Sequence, residues 1–135
     1  MPAASTEVEE LVDRFISDVK QPLVLFALEW CEFCWAVRKL FAGAAIPYRM
    51  VGLDSVEYQR DDRGGQVRSA LKARSGSITI PQVFLGGEFI GGCSETFDAY
   101  RSGQLQQRLV ALGVPFDSSA EFDPAQLLPG WVHKR

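Results

Sequence analysis

The sequence predicts a small mixed β-sheet covered by helices, in a single α/β domain. Helix-like and strand-like periodicities alternate along the chain. A short apolar run follows the first helix pattern. Two late apolar runs flank a Gly86-Gly87 pair, as in a hairpin. With 135 residues, 47% hydrophobic and 23% charged, the chain is long enough to bury a core without disulfide staples. A net charge of −3 argues against a general nucleic-acid-binding surface. No stretch approaches the ~20 apolar residues of a membrane span. Met1 to Glu7 lacks the basic and apolar regions of a signal peptide. The three cysteines are an odd set, and two are spaced C-x-x-C, unlike a secreted disulfide framework. The expectation is a soluble, cytoplasmic protein whose cysteines do chemistry, with neither nucleic acid nor membrane as partner.

Thr6-Glu7-Val8-Glu9 has the form of a capping box with Thr6 as N-cap, and Val8, Leu11, Val12, Phe15, Ile16 and Val19 follow helical spacing. Pro22 closes that segment. Leu23 to Leu28 is a continuous apolar run bounded by proline and charge, which fits a strand buried on both faces. Trp35, Ala36, Val37, Leu40, Phe41 and Ala44 then recur at helical spacing, with Gly43 and Pro47 bracketing the helix end. Tyr48 to Asp54 reads as a second strand, Asp61 to Gly65 as a loop, and Val67 to Ala73 as a helix ended near Gly76. Ile78 to Leu85 and Glu88 to Ile90 form the hairpin. Ser94 is the expected N-cap of a last helical region, interrupted at Gly103 and running to Leu112. The chain divides into an N-terminal helix packed on the domain (1–22), the domain itself (23–114) and an irregular C-terminal tail (115–135).

The chemistry centres on Glu29-Trp30-Cys31-Glu32-Phe33-Cys34, at a strand-to-helix turn. Unpaired N–H groups and the positive end of the helix dipole stabilise a thiolate there. Cys34, one turn further in, lies on the same helix face and can close a disulfide with Cys31. Cys31, the more exposed, is expected to attack, and Cys34 to resolve. A zinc site would need two further ligands, and only Cys93 and His133 remain. Two cysteines packed as small hydrophobes is the other alternative, weakened by the flanking Glu29 and Glu32.

Cys31-Glu32-Phe33-Cys34, Thr79-Ile80-Pro81-Gln82-Val83-Phe84 and Ile90-Gly91-Gly92-Cys93-Ser94-Glu95 resemble the three signature segments of glutaredoxins, in order and at compatible spacing. The resemblance runs from Leu23 to Leu112. It implies a thioredoxin-like fold with a mixed four-stranded sheet, plus the extra N-terminal helix and C-terminal tail. It implies glutathione-dependent reduction of protein disulfides and of protein–glutathione mixed disulfides. Glutathione is then the co-substrate, and disulfide-containing or glutathionylated proteins are the partners of a monomer.

The resemblance also implies a glutathione site of Phe33, Arg68, Thr79, Ile80, Pro81, Gly92, Cys93 and Ser94. A cis Ile80–Pro81 bond turns the Ile80 backbone toward the cysteine unit of glutathione, whereas a trans proline merely opens an edge strand. Gly91-Gly92 lets a ligand backbone approach, or is an ordinary turn. The N–H groups of Cys93 and Ser94 receive the γ-glutamyl carboxylate. Arg68, eleven residues before Thr79, meets the glycine carboxylate or is a solvated helix arginine. Cys93 packs silently beside the groove, or forms a regulatory disulfide or a glutathione adduct. Trp30 and Phe33 shape the groove or shield Cys34.

Two departures stand out. Leu28 occupies the position where many relatives carry lysine, and Glu32 the position of a proline or small residue. Glu29 and Glu32 oppose a thiolate at Cys31 and repel glutathione carboxylates, by about a kcal/mol at an exposed surface, with Arg38 and Lys39 compensating in part. The missing proline leaves open a second class of function, a [2Fe–2S] cluster held between two protomers by Cys31 and glutathione. A glutathione-independent reductase served by a flavoenzyme is a third, which the Gly91-to-Ser94 segment opposes.

Overall fold

A computed structural model describes residues 3–130. Strand β1 (Leu23–Ala27) is buried at every residue. Its alternating side chains feed two separate cores, as the period of 2 requires. Leu23, Leu25 and Ala27 point to one face, Val24 and Phe26 to the other. β1 runs parallel to β2 (Arg49–Gly52) and antiparallel to β3 (Gln82–Leu85), which pairs antiparallel with β4 (Glu88–Gly91). The sheet order is β2-β1-β3-β4, a mixed four-stranded sheet flanked by helices.

Helices α2 (Glu32–Gly43), α5 (Cys93–Ser102) and α6 (Gln104–Ala111) cover the first face, where Val37, Leu40, Phe41, Phe97, Leu105 and Leu109 are buried. Helices α1 (Thr6–Ser17) and α4 (Arg63–Ser75) cover the second with Val8, Val12, Ile16, Val67 and Leu71. Phe15, Phe26, Phe84 and Phe89 form a chain of ring contacts there, with centroids 6.3, 5.8 and 5.2 Å apart. Arg74 fastens α1 to α4. Its guanidinium lies 2.7 Å from Asp13 and 2.8 Å from Glu9, and it holds the Asp13 carboxyl below its ordinary range.

The first cap differs from expectation. Ser5, not Thr6, is the N-cap, and its Oγ accepts from Val8 N at 3.2 Å. Glu9 pairs with Arg74 and so does not close a capping box on Thr6. The expected loop at 61–65 is only partly one. A short helix α3 (Val56–Gln59) precedes it, a single 3-10 turn (Arg60–Asp62) takes up its first two residues, and α4 begins at Arg63, with Gly64 and Gly65 already helical. A side chain at Gly64 would collide with the carbonyl oxygen of Leu53, so glycine here marks a close packing contact rather than a turn. The reversal falls on Asp61 and Asp62, both at positive φ.

The segment after Pro115 is a strap over α2 and α5. Asp117 N donates to Ala44 O at 2.8 Å. Phe122 stacks on Tyr100 with centroids 5.7 Å apart, and a Cβ at Gly43 would lie 3.2 Å from the Phe122 ring. Phe116, Leu127 and Leu128 pack on the same core. Apart from a 3-10 turn at Pro124–Leu127 its backbone is irregular and carries no periodicity, so only scattered apolar residues announce this burial. Phe122→Ala removes a half-buried ring and is expected to lower unfolding free energy by about 1–2 kcal/mol in urea titration of the reduced protein. An unchanged midpoint would mean that the strap carries no stability.

Candidate active site

The turn between β1 and α2 is pinned residue by residue. Leu28 N donates to Cys34 Sγ at 3.5 Å. Glu29 N donates to both Asp54 carboxylate oxygens, at 3.1 and 3.0 Å. Glu29 O accepts from the Trp35 indole at 2.6 Å. Cys31 follows as the N-cap of α2, in extended conformation, and its Sγ accepts from Cys34 N at 3.3 Å. A sulfur thus takes the place of the usual capping oxygen, where orphan amides and the helix dipole favour negative charge.

The two thiols differ in environment. Cys31 is partly exposed; Cys34 is fully buried. Burial, and then the hydrogen bond from Cys31, push the Cys34 thiol up to about 12. Cys93 is pushed up to about 11, again chiefly by burial, with Cys31 and Glu95 adding to it. At neutral pH both are therefore thiols, and Cys31 is the accessible nucleophile.

Beside Cys31 runs the 77–81 loop. Gln82 is buried, and its Nε2 donates to Ser77 O at 2.8 Å and Thr79 O at 3.1 Å. Arg68 Nη2 donates to Ile78 O at 3.0 Å. Ile80–Pro81 is cis, and Ile80 O lies 3.9 Å from Cys31 Sγ. Facing this loop, Gly91 (φ 135°) and Gly92 lead into α5. A Cβ at Gly92 would lie 3.2 Å from Pro81 O, so the two walls meet closely there. Gly92, not Ser94, is the N-cap of α5. The amides of Cys93 and Ser94 consequently fall in the first helical turn, where no helical acceptor exists for them.

Of the residues singled out in the sequence, Phe33, Thr79, Ile80, Pro81, Gly92, Cys93 and Ser94 all line one groove of about 210 Å³. Three larger hollows, one of about 740 Å³ beside Phe15 and Tyr58, have no cysteine in their lining. Arg68 does not line the groove; it braces the loop from behind, and is no freely solvated arginine. Trp30 is 93% exposed and does not shield Cys34. Arg38 reaches Glu29 at 4.0 Å while stacking on Trp35 at 3.7 Å.

Two residues were not read from the sequence. Glu95 lines the groove and its carboxylate accepts from Gly92 N at 2.7 Å; its place three residues after the N-cap was the available signal. Asp54 had no local signal, since it acts across the sheet end. Among the described residues no group of three His, Cys, Asp or Glu is arranged to hold a metal, and His133 lies outside them.

The glutaredoxin family model matches residues 23–90. A glutaredoxin of Ricinus communis is 33% identical over 110 residues, covering 82% of this chain and 97% of its own length. Monothiol glutaredoxin-S10 of Oryza sativa subsp. japonica is 31% identical over 114 residues, covering 84% of this chain but 66% of its own length. For the chloroplastic S12 protein of Arabidopsis thaliana the match spans 55% of the relative. A crystal structure of a buckwheat glutaredoxin–glutathione complex superposes with a TM-score of 0.68 at 29% identity, covering 81% of this chain and 96% of that one. With the C-x-x-C turn, the cis-proline loop and the Gly-Gly wall converging on one groove, and with these matches, the chain belongs to the glutaredoxin family.

Proposed function

We propose that the chain is a glutathione-dependent thiol–disulfide oxidoreductase acting on protein disulfides and protein–glutathione mixed disulfides. The observation that carries this reading is a partly exposed capping thiol next to a groove with the cis-proline loop on one wall and helix-start amides on the other. The Cys31 thiolate attacks the glutathione sulfur of a mixed disulfide. The S–S bond breaks, the protein sulfur leaves as a thiolate and takes up a proton, and Cys31 carries the glutathione. A second glutathione thiolate attacks that disulfide, releasing oxidised glutathione and restoring Cys31. For a protein disulfide, the Cys31 thiolate attacks one sulfur and the other leaves as a thiolate. Cys34, giving up its proton, attacks Cys31 in that mixed disulfide, forming the Cys31–Cys34 disulfide and releasing the second protein sulfur. Two glutathione thiols then reduce Cys31–Cys34, leaving as oxidised glutathione. Residues 78–80 offer backbone to the cysteine unit of glutathione, the Cys93 and Ser94 amides take a carboxylate, and Arg68 holds the loop in place. A solved relative holds glutathione, in keeping with this. A reducing compartment such as the cytoplasm suits three free cysteines.

A glutathione-ligated [2Fe–2S] dimer is a second reading, favoured by Glu32 standing where proline would stiffen the turn. Of the three cysteines only Cys31 is partly exposed, so Cys31 from two copies and two glutathiones would be needed. Visible charge-transfer absorbance after anaerobic purification, lost in Cys31→Ser, tests it.

Cys31→Ser is expected to lower turnover of a small glutathione mixed disulfide by more than about a thousandfold; retained activity would remove Cys31 from its role. Cys34→Ser should keep most of that activity and lose protein-disulfide reduction, and loss of both would require a strictly dithiol route. Iodoacetamide at about pH 8 should alkylate Cys31 alone, because the burial-raised Cys34 and Cys93 stay protonated there. Peptide mapping that finds Cys93 modified at a similar rate would contradict the burial argument. Arg68→Ala should raise the glutathione KM by about three- to tenfold with kcat nearly unchanged. Unchanged kinetics would leave Arg68 without a part in the groove.

A further inference from the structure

The rim around Cys31 is divided by charge. The groove side offers the first-turn amides of α5, and the one carboxylate among its lining residues, that of Glu95, is already bonded to Gly92 N. The opposite side is acidic and aromatic. The Leu28-to-Glu32 turn and the bend after β2 bring together Glu29, Glu32 and Asp54, with Trp30 and Trp35. Trp30 is 93% exposed, more than any other large hydrophobic residue described, and it adjoins the nucleophile without packing into either core. The Glu29 carboxylate is 53% exposed and meets Arg38 only at 4.0 Å. Arg38 contacts this rim, and its guanidinium already lies over the Trp35 ring beside the Glu29 carboxylate. The same aromatic-plus-acid chemistry is repeated at Trp30, where the ring faces solvent.

We infer that this half of the rim docks protein substrates whose reactive cysteine is flanked by lysine or arginine and by an apolar side chain. The inference rests on the oxidoreductase reading and names the partner class for the same site. Charge complementarity selects the occupant. A cation next to the target cysteine meets Glu29 and Glu32, and its neighbour covers the Trp30 ring. An acidic flank meets like charge instead, which discriminates against the wrong partner. The exchange chemistry is unchanged; the rim alters encounter and residence.

A basic flank also makes the departing thiolate a better leaving group, so the test compares ratios across variants. Two glutathionylated peptides are assayed that differ only in lysine or glutamate on both sides of the cysteine, with a small glutathione mixed disulfide as reference. The wild type should prefer the lysine peptide in kcat/KM by about tenfold beyond the ratio for glutathione alone, less so in about 0.5 M salt. The double variant Glu29→Gln, Glu32→Gln should cut that preference by about threefold or more. Trp30→Ala should lower kcat/KM for the lysine peptide by about three- to tenfold while turning over the small disulfide as the wild type does. An unchanged peptide ratio in the double variant, or a Trp30→Ala enzyme indistinguishable on the lysine peptide, overturns the docking surface and leaves the enzyme reading standing. A wild type inert toward all three substrates removes the enzyme reading, and the docking surface with it.

Discussion

The site depends on one hydrogen bond, from the Cys34 amide to the Cys31 sulfur at 3.3 Å. It makes a thiol the cap of a helix, and a helix start is where a sulfur anion meets the most unpaired donors. That geometry requires the chain to leave β1 and enter α2 within a few residues, at a fixed angle. The burial of β1 on both faces supplies the fixed end: with five consecutive residues locked into two cores, the strand can neither slide nor rotate without exposing one set. The other end is held by α2 itself, whose last turn lies under Phe122 and is tied to the strap through Ala44.

The inequality of the two cysteines follows from the same geometry. Residues three apart share a helix face, but the first sits at the helix mouth and the second faces the sheet. Cys34 therefore pays the desolvation of a buried thiol, and its sulfur accepts from the Leu28 amide that would otherwise be unpaired at the strand end. Asp54 and Trp35 take the two polar groups of Glu29 from opposite directions. The peptide units leading to the nucleophile are thus held by a sulfur, a carboxylate and an indole, and no lysine is needed at Leu28 to order the turn.

Much of this was legible in the residues. The apolar run of β1, the helical spacing after Cys34 and the Gly86-Gly87 hairpin are periodic or punctuated features and appear in the fold, though the first hairpin strand begins at Gln82 rather than Ile78. The groove residues were legible through the resemblance of three segments to glutaredoxin signatures, and all of them but Arg68 line the groove. What escaped were contacts made across the fold. Asp54 reaches Glu29 over twenty-five residues, Gly64 is dictated by the Leu53 carbonyl rather than by a turn, and the strap is held by single aromatics without repeat. The Ser5 cap was misplaced by one residue because Glu9 had a stronger partner in Arg74 than a capping box offers.

The groove wall shows how far side chains can replace a ladder. Residues 78–80 precede β3 and belong to no strand, and Pro81 has no N–H to give. Three successive carbonyls, of Ser77, Ile78 and Thr79, are instead held by Gln82 and Arg68. This leaves the wall's outward edge for a ligand, whereas a fourth neighbour strand would have consumed it. The arrangement has a cost, since Gln82 Oε1 and Arg68 Nε are buried without a protein partner. An apolar residue at 82 would relieve the unmet acceptor but release the Thr79 carbonyl and leave that of Ser77 to Ser75 alone. The buried amide thus holds the groove wall in shape from the core side.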